Sequence, residues 1–142
     1  MSCTVERNDP DIVPKPENGK TFRLLNPNRR TIVQVEVDGC LITGERERCD
    51  WLFVVPLEPT PPSHRVCYVE LKGKNVEKAI SQIISTIDYT KNQYAKYNKE
   101  AYIVCSRVPR ESPLTQTKRR QLKRDYGAKL VIRCKELVEK VP

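Results

Sequence analysis

The chain has one histidine and no C-x-x-C pair, and these two absences exclude most zinc chemistry. Structural zinc needs clustered thiolate or imidazole ligands. Cys3, Cys40, Cys49, Cys67, Cys105 and Cys134 are instead scattered, and His64 lies in a proline-rich loop. No apolar run approaches the about 18 residues needed to cross a bilayer. The opening MSCTVERNDPDIVPK lacks the apolar segment of a secretory signal, so a cytoplasmic protein is expected. Internal repeats and low-complexity tracts are also missing. Acids are scarce in one place: from Arg107 to Lys135 there are ten Lys or Arg residues against only Glu111 and Asp125. With a net charge of +8, that imbalance makes a polyanion the natural partner, nucleic acid before an anionic membrane surface.

What is present reads as one domain. At 142 residues the chain is long enough for a single core, with 38% apolar and 31% charged residues in the globular range. Residues 1–20 contain Pro10, Pro14, Pro16 and Gly19 among charges and are expected to form an extended arm with little regular structure. Residues 21–142 form the domain. TIVQVEVDGCLI alternates as a half-buried strand turning at Asp38-Gly39. CDWLFVV and VCYVELK read as buried strands, separated by the loop LEPTPPSH, which can continue neither. Val76, Ala79, Ile80, Ile83, Ile84, Ile87 and Tyr94 then recur at helical spacing, predicting a helix capped by Asn75 and running to about Tyr97. AYIVCSRV suits a central strand, SPLTQTKRRQLKRDYGA a basic helix stopped by Gly127, and KLVIRC a last strand. The order β-hairpin, β, α, β, α, β predicts an α/β domain with a mixed sheet.

Chemistry concentrates at Asp50, Glu70 and Lys72. On a strand, Glu-Leu-Lys places Glu70 and Lys72 on one face, and an aspartate at the start of the preceding strand can converge on them. Two carboxylates at the edge of an apolar sheet are costly to desolvate unless a partner compensates them, and a divalent cation is one solution. The plain alternative is a solvated Glu70–Lys72 pair with Asp50 as a turn residue.

Asp50, a gap of nineteen residues, Glu70-Leu71-Lys72, Gly73, and a following helix with Gln82 resemble the PD-(D/E)xK nuclease superfamily, which includes restriction endonucleases and Holliday-junction resolvases. VEVDGCLI, CDWLFVV, VCYVELKGK and NVEKAISQII are similar to segments of its small bacterial members, over residues 31–106. The resemblance implies a three-layer α/β/α restriction-endonuclease-like fold and a metal-dependent endonuclease acting on DNA, with DNA favoured over RNA. By the same resemblance Asp50, Glu70 and the Leu71 carbonyl hold Mg²⁺ or Mn²⁺. Lys72 orients or deprotonates the attacking water, and Gln82 touches the site or the DNA. An additional N-terminal acid is usual in the family, and Glu6, Glu17 and Glu36 remain open here, Asp38 being read as a turn former.

On the second helix, Arg119, Arg120, Lys123 and Arg124 form a basic strip read as phosphate-binding, against the alternative of a solvated face. Trp51, Tyr68 and the strand cysteines are read as core; a Cys-His nucleophile with His64 has no local support. Leu114, Leu122 and Tyr126 are too few for a membrane-surface helix. The rival to a nuclease is an inactive nucleic-acid-binding module of the same fold; a homodimer or a partner protein remains open.

Overall fold

Residues 2–57, 63–73, 75–107 and 110–142 are described by the computed structural model, the side chains of Lys72 and Gly73 excepted. Most of the proline-rich loop, residues 58–62, thus falls outside the described residues.

The β-branched and aromatic run RVCYVELKG forms β6 (Arg65–Gly73), the strand around which the sheet is organised. Upstream, β4 (Ile32–Glu36) and β5 (Trp51–Val55) join it as an antiparallel meander, Val35 opposite Leu52 and Phe53 opposite Cys67. Downstream, β7 (Asn98–Cys105) and β8 (Lys129–Cys134) continue in parallel, Tyr68 beside Ala101 and Ile103 beside Ile132. Parallel neighbours need a crossover, supplied by α1 (Val76–Thr90) and then α2 (Pro113–Tyr126). β1 (Thr4–Arg7) pairs antiparallel with β4 and completes a six-stranded mixed sheet in the order β1-β4-β5-β6-β7-β8.

Strand alternation divides the apolar residues between two faces. Val66, Tyr68, Ala101 and Ile103 face α1, where they meet Val76, Ala79, Ile80, Ile83 and Ile87, while Leu122 of α2 joins the same cluster. Cys67, Val69, Leu71, Tyr102 and Val104 face the other way, against Ile12, Phe22, Leu24 and Leu137. That second cover is a small sheet of β2 (Asp11–Ile12), β3 (Thr21–Leu25) and β9 (Glu136–Lys140), with β3 antiparallel to β2 and parallel to β9. The Phe22 ring sits 5.4 Å from both Phe53 and Tyr102.

The mixed α/β sheet with two helices agrees with the sequence reading. Three features differ. The second outer layer is this three-stranded sheet, where the family resemblance implied helices. Residues 1–20, expected to lack regular structure, supply β1 and β2, because the prolines fall between the strands and not within them. Finally, α1 ends at Thr90, short of Tyr97. There the chain breaks into turns in which Tyr94 packs on Tyr97 at 5.4 Å and the Lys99 ammonium donates to both their carbonyls, at 3.1 and 3.2 Å. The caps follow the sequence. Asn75 accepts from Lys78 N–H at 3.0 Å, Ser112 caps α2 ahead of Pro113, and Gly127 takes φ +64°, the left-handed stop.

Candidate metal centre and nucleic-acid interface

The β5–β6 ladder ends at Trp51 opposite Val69, and one step further Asp50 and Glu70 come next on their two chains. The Asp50 N–H donates to Val69 O at 3.1 Å, and its carbonyl accepts from the amides of Val37 and Asp38 at 3.1 and 3.4 Å. The side chain carries the pairing onward: Asp50 Oδ2 accepts from the Leu71 N–H at 2.8 Å, standing in for a backbone carbonyl. A carboxylate accepting a buried amide in this way is held in a single orientation. Asp50 is 4% exposed and Glu70 1%. Both lie close enough to the Cys49 thiol to push its pKa up, after the larger effect of burial.

The β6–β7 register shifts between Glu70 and Gly73: Glu70 pairs with Ile103, and Gly73 with Cys105, so three steps on β6 match two on β7. Such a bulge re-aims side chains and often adjoins active sites. It falls on the Glu70-Leu71-Lys72 triplet itself. The backbone of Lys72 belongs to β6, while its side chain is outside the described residues.

From the helix side, Thr86 Oγ1 accepts from the Cys49 N–H at 2.9 Å and donates to Gln82 O at 3.0 Å. Thr86 thereby fixes the residue before Asp50 against α1, a positioning role that no motif in the chain signals. Gln82 stands one helical turn before Thr86 and is half-buried.

The acids left open in the N-terminal half now separate. Glu6 is exposed on β1, in a different cavity with Arg7, Asn8 and Thr31. Glu17, Glu36 and Asp38 line a cavity of about 160 Å³ together with Lys15, Asp50 and Trp51. Asp38 is ion-paired with Arg48 at 2.9 Å. Among the described residues no three His, Cys, Asp or Glu converge as a metal cluster. Asp50 and Glu70, at adjoining positions of the β5 and β6 chains, offer two hard carboxylates. That suits Mg²⁺, which takes one or two carboxylates and keeps several waters.

Of the residues read as core, Tyr68, Cys67 and Cys105 are buried, whereas Trp51 and Cys134 are only partly so. Tyr68 is fully buried with its hydroxyl 2.7 Å from Thr90 Oγ1, and Trp51 packs against the small-sheet cluster. Cys67 is buried and its thiol pushed upward, chiefly by desolvation, which disfavours a nucleophile. The His64 ring stacks edge-on with Tyr97 at 5.1 Å. Cys3 and Cys40, not expected to pair, form a disulfide tying the start of β1 to the turn after β4.

The basic strip of α2 is less uniform than its sequence suggests. Arg119 turns inward, donating to Glu111 at 2.6 Å and to Leu130 O on β8 at 2.8 Å. Arg124 pairs with Asp125 at 2.8 Å. Arg120 and Lys123 instead join Arg119 and Lys129 around a cavity of about 500 Å³ between α2 and β8. A neighbouring cavity of about 470 Å³ adds Arg133, opposed by Glu111 and Glu139. The electropositive feature is thus a groove between helix and edge strand. Lys129 and Arg133 are the residues a helix-only reading missed; their period of four on KLVIR, even on a strand, was the available signal.

Among the described residues no helix is long and apolar enough to cross a membrane. No family model matches the chain, and no curated protein or solved structure matches it either.

Proposed function

We propose that this chain is a metal-dependent endonuclease that hydrolyses phosphodiester bonds in DNA, of the PD-(D/E)xK kind that its sequence resembles. The observation that carries this reading is the meeting of Asp50 and Glu70 at adjoining positions of β5 and β6, beside a bulge, with the Asp50 carboxylate gripping the Leu71 amide. The order of an antiparallel meander followed by helix, parallel strand, helix, parallel strand supports it.

Asp50 and Glu70 would hold Mg²⁺ or Mn²⁺, with the Leu71 carbonyl as a further ligand. The bound ion would supply Lewis acidity toward the phosphate and a water made more acidic. Asp50 orients one carboxylate edge by spending Oδ2 on the Leu71 amide. Thr86 fixes the approach to Asp50 through Cys49. Lys72 has the role of orienting or deprotonating the attacking water, and Gln82 that of a polar contact from α1. Arg120, Lys123 and Lys129 would hold the DNA backbone along the α2–β8 groove, since phosphate contacts supply affinity without reading sequence.

One observation favours the rival, an inactive nucleic-acid-binding module: the two carboxylates are almost fully buried, as structural ones are. Incubating supercoiled plasmid and a panel of labelled duplex, branched and single-stranded DNA and RNA with Mg²⁺ or Mn²⁺ separates the two. Cleavage that chelator abolishes, and that Asp50→Asn and Glu70→Gln lose, supports the nuclease. Groove-dependent binding without cleavage of any substrate supports the module.

A further inference from the structure

We infer that Cys105 and Cys134 are a reversible dithiol, a modification site that closes into a disulfide when the protein meets an oxidised low-molecular-weight disulfide of the glutathione type. The two residues are the last of their strands and are direct partners in the parallel β7–β8 ladder. Neighbouring strands lie about 4.7–4.9 Å apart, inside the roughly 4.4–6.8 Å Cα separation that a disulfide spans. The thiols also reach across the ladder. Cys105 Sγ approaches Arg133 O at 3.4 Å, one residue before Cys134, and Cys134 Sγ approaches Ser106 O at 3.2 Å, one residue after Cys105. Burial pushes the Cys105 thiol upward, and the neighbouring Cys134 adds to that effect.

The pair is asymmetric in access. Cys105 is fully buried and Cys134 is partly exposed, so an incoming disulfide meets Cys134 first. In the first step the Cys134 thiolate attacks one sulfur of oxidised glutathione; an S–S bond breaks, a mixed disulfide forms, and one glutathione thiolate leaves. In the second, Cys105 gives up its proton and displaces the other glutathione. The protein loses two hydrogens, and one oxidised glutathione becomes two reduced molecules. Strand ends allow the small adjustment this needs. Cys134 is followed by Lys135, which sits at φ +64° with its N–H on Cys105 O. Two other free thiols, Cys49 and Cys67, are buried without such a partner in register, and Cys3–Cys40 is already closed.

The test is to equilibrate the folded protein in glutathione buffers of graded potential, quench with acid and alkylating reagent, and map cysteines by mass spectrometry without reduction. The expected result is a species lighter by about 2 Da with the peptides of Cys105 and Cys134 cross-linked, and reversed on reduction with dithiothreitol. Cys134→Ser should leave Cys105 unmodified while retaining the wild-type circular dichroism spectrum. The inference is overturned by stable glutathionylation of Cys134 with no cross-link in folded wild type, by no change across the potential range, or by a cross-link joining other cysteines.

Discussion

Replacing Asp50 by alanine and by asparagine separates its structural work from its proposed chemistry. Asp50 Oδ2 accepts the Leu71 N–H at 2.8 Å in a site where Asp50 is 4% exposed and the Leu71 side chain fully buried. Alanine leaves that amide without its acceptor in the interior, a cost of about 1–3 kcal/mol. For a domain of this size, each kcal/mol moves the melting temperature by roughly 3–4 °C. Asp50→Ala is therefore expected to melt roughly 3–12 °C below wild type in chelator. Asn retains a carbonyl oxygen for the same N–H, so Asp50→Asn should stay within about 1 kcal/mol of wild type in chelator. The metal reading adds a second column to the experiment. A ligand present at ten times its Kd stabilises the folded state by about 1.4 kcal/mol, and wild type should show that rise on adding Mg²⁺ while both variants lose it. Thermal melts with and without Mg²⁺, alongside plasmid nicking, read both columns. Wild-type nicking or an undiminished Mg²⁺ shift in Asp50→Asn would refute the metal role, and an unchanged melting temperature of Asp50→Ala in chelator would refute the hydrogen-bond account.

Three further outcomes are expected. Thr86→Val keeps the shape of the side chain but removes the oxygen that accepts the Cys49 N–H, so it should destabilise by about 1–3 kcal/mol in denaturant titration and slow cleavage more than it weakens DNA binding. Lys123→Ala with Lys129→Ala should reduce DNA affinity and lower the slope of log affinity against log salt by about one unit per charge removed, whereas Arg124→Ala, already paired with Asp125, should change it less; equal slopes in wild type and the double variant place the phosphates elsewhere. Glu77 accepts from Ser112 and Thr115 of α2, at 2.8 and 3.1 Å, and its pKa is lowered from 4.5, chiefly by the Ser112 hydrogen bond. A lowered folded pKa means that its contribution is present above about pH 4.5 and lost as pH falls through the folded value, so Glu77→Gln should lower stability at neutral pH, flatten the acid limb of the stability–pH curve and converge with wild type at low pH.

Local signals in the chain translated directly into structure where the physics is local. Asn75, Ser112-Pro113 and Gly127 mark helix ends because each satisfies or frees backbone groups within a turn. The stripe from Val76 to Ile87 is buried as its spacing requires. Asp50 and Glu70 were legible for a similar reason, since two adjoining strands of known alternation leave little choice of partner. TFRLL and ELVEK were not legible as β3 and β9. Each is five residues long, charged at alternate or flanking positions, and becomes a strand only by pairing with the other across more than a hundred residues of chain. No local preference records such a pairing. The disulfide of Cys3 with Cys40 is hidden likewise, because β1 must first be known to lie on β4.

The identity of the second outer layer could still have been narrowed by topology. Strands β6, β7 and β8 lie side by side in sequence order. A parallel crossover is right-handed in nearly every protein, so two successive crossovers advancing in the same direction put both helices on the same face. Among the described residues there are two helices, which leaves the opposite face, with Cys67, Val69, Leu71, Tyr102 and Val104, to be covered by something else. The remaining apolar material is TFRLL, ELVEK and the Asp11–Ile12 pair, all of it short and suited only to strands. The small sheet thus follows from the order of the large one. It also bears on the site: Leu71, whose amide Asp50 holds on one side, is anchored by its side chain in the cluster that this sheet covers. Loosening β3 or β9 should consequently be felt at the Asp50–Leu71 hydrogen bond before it is felt at α1, which packs on the other face.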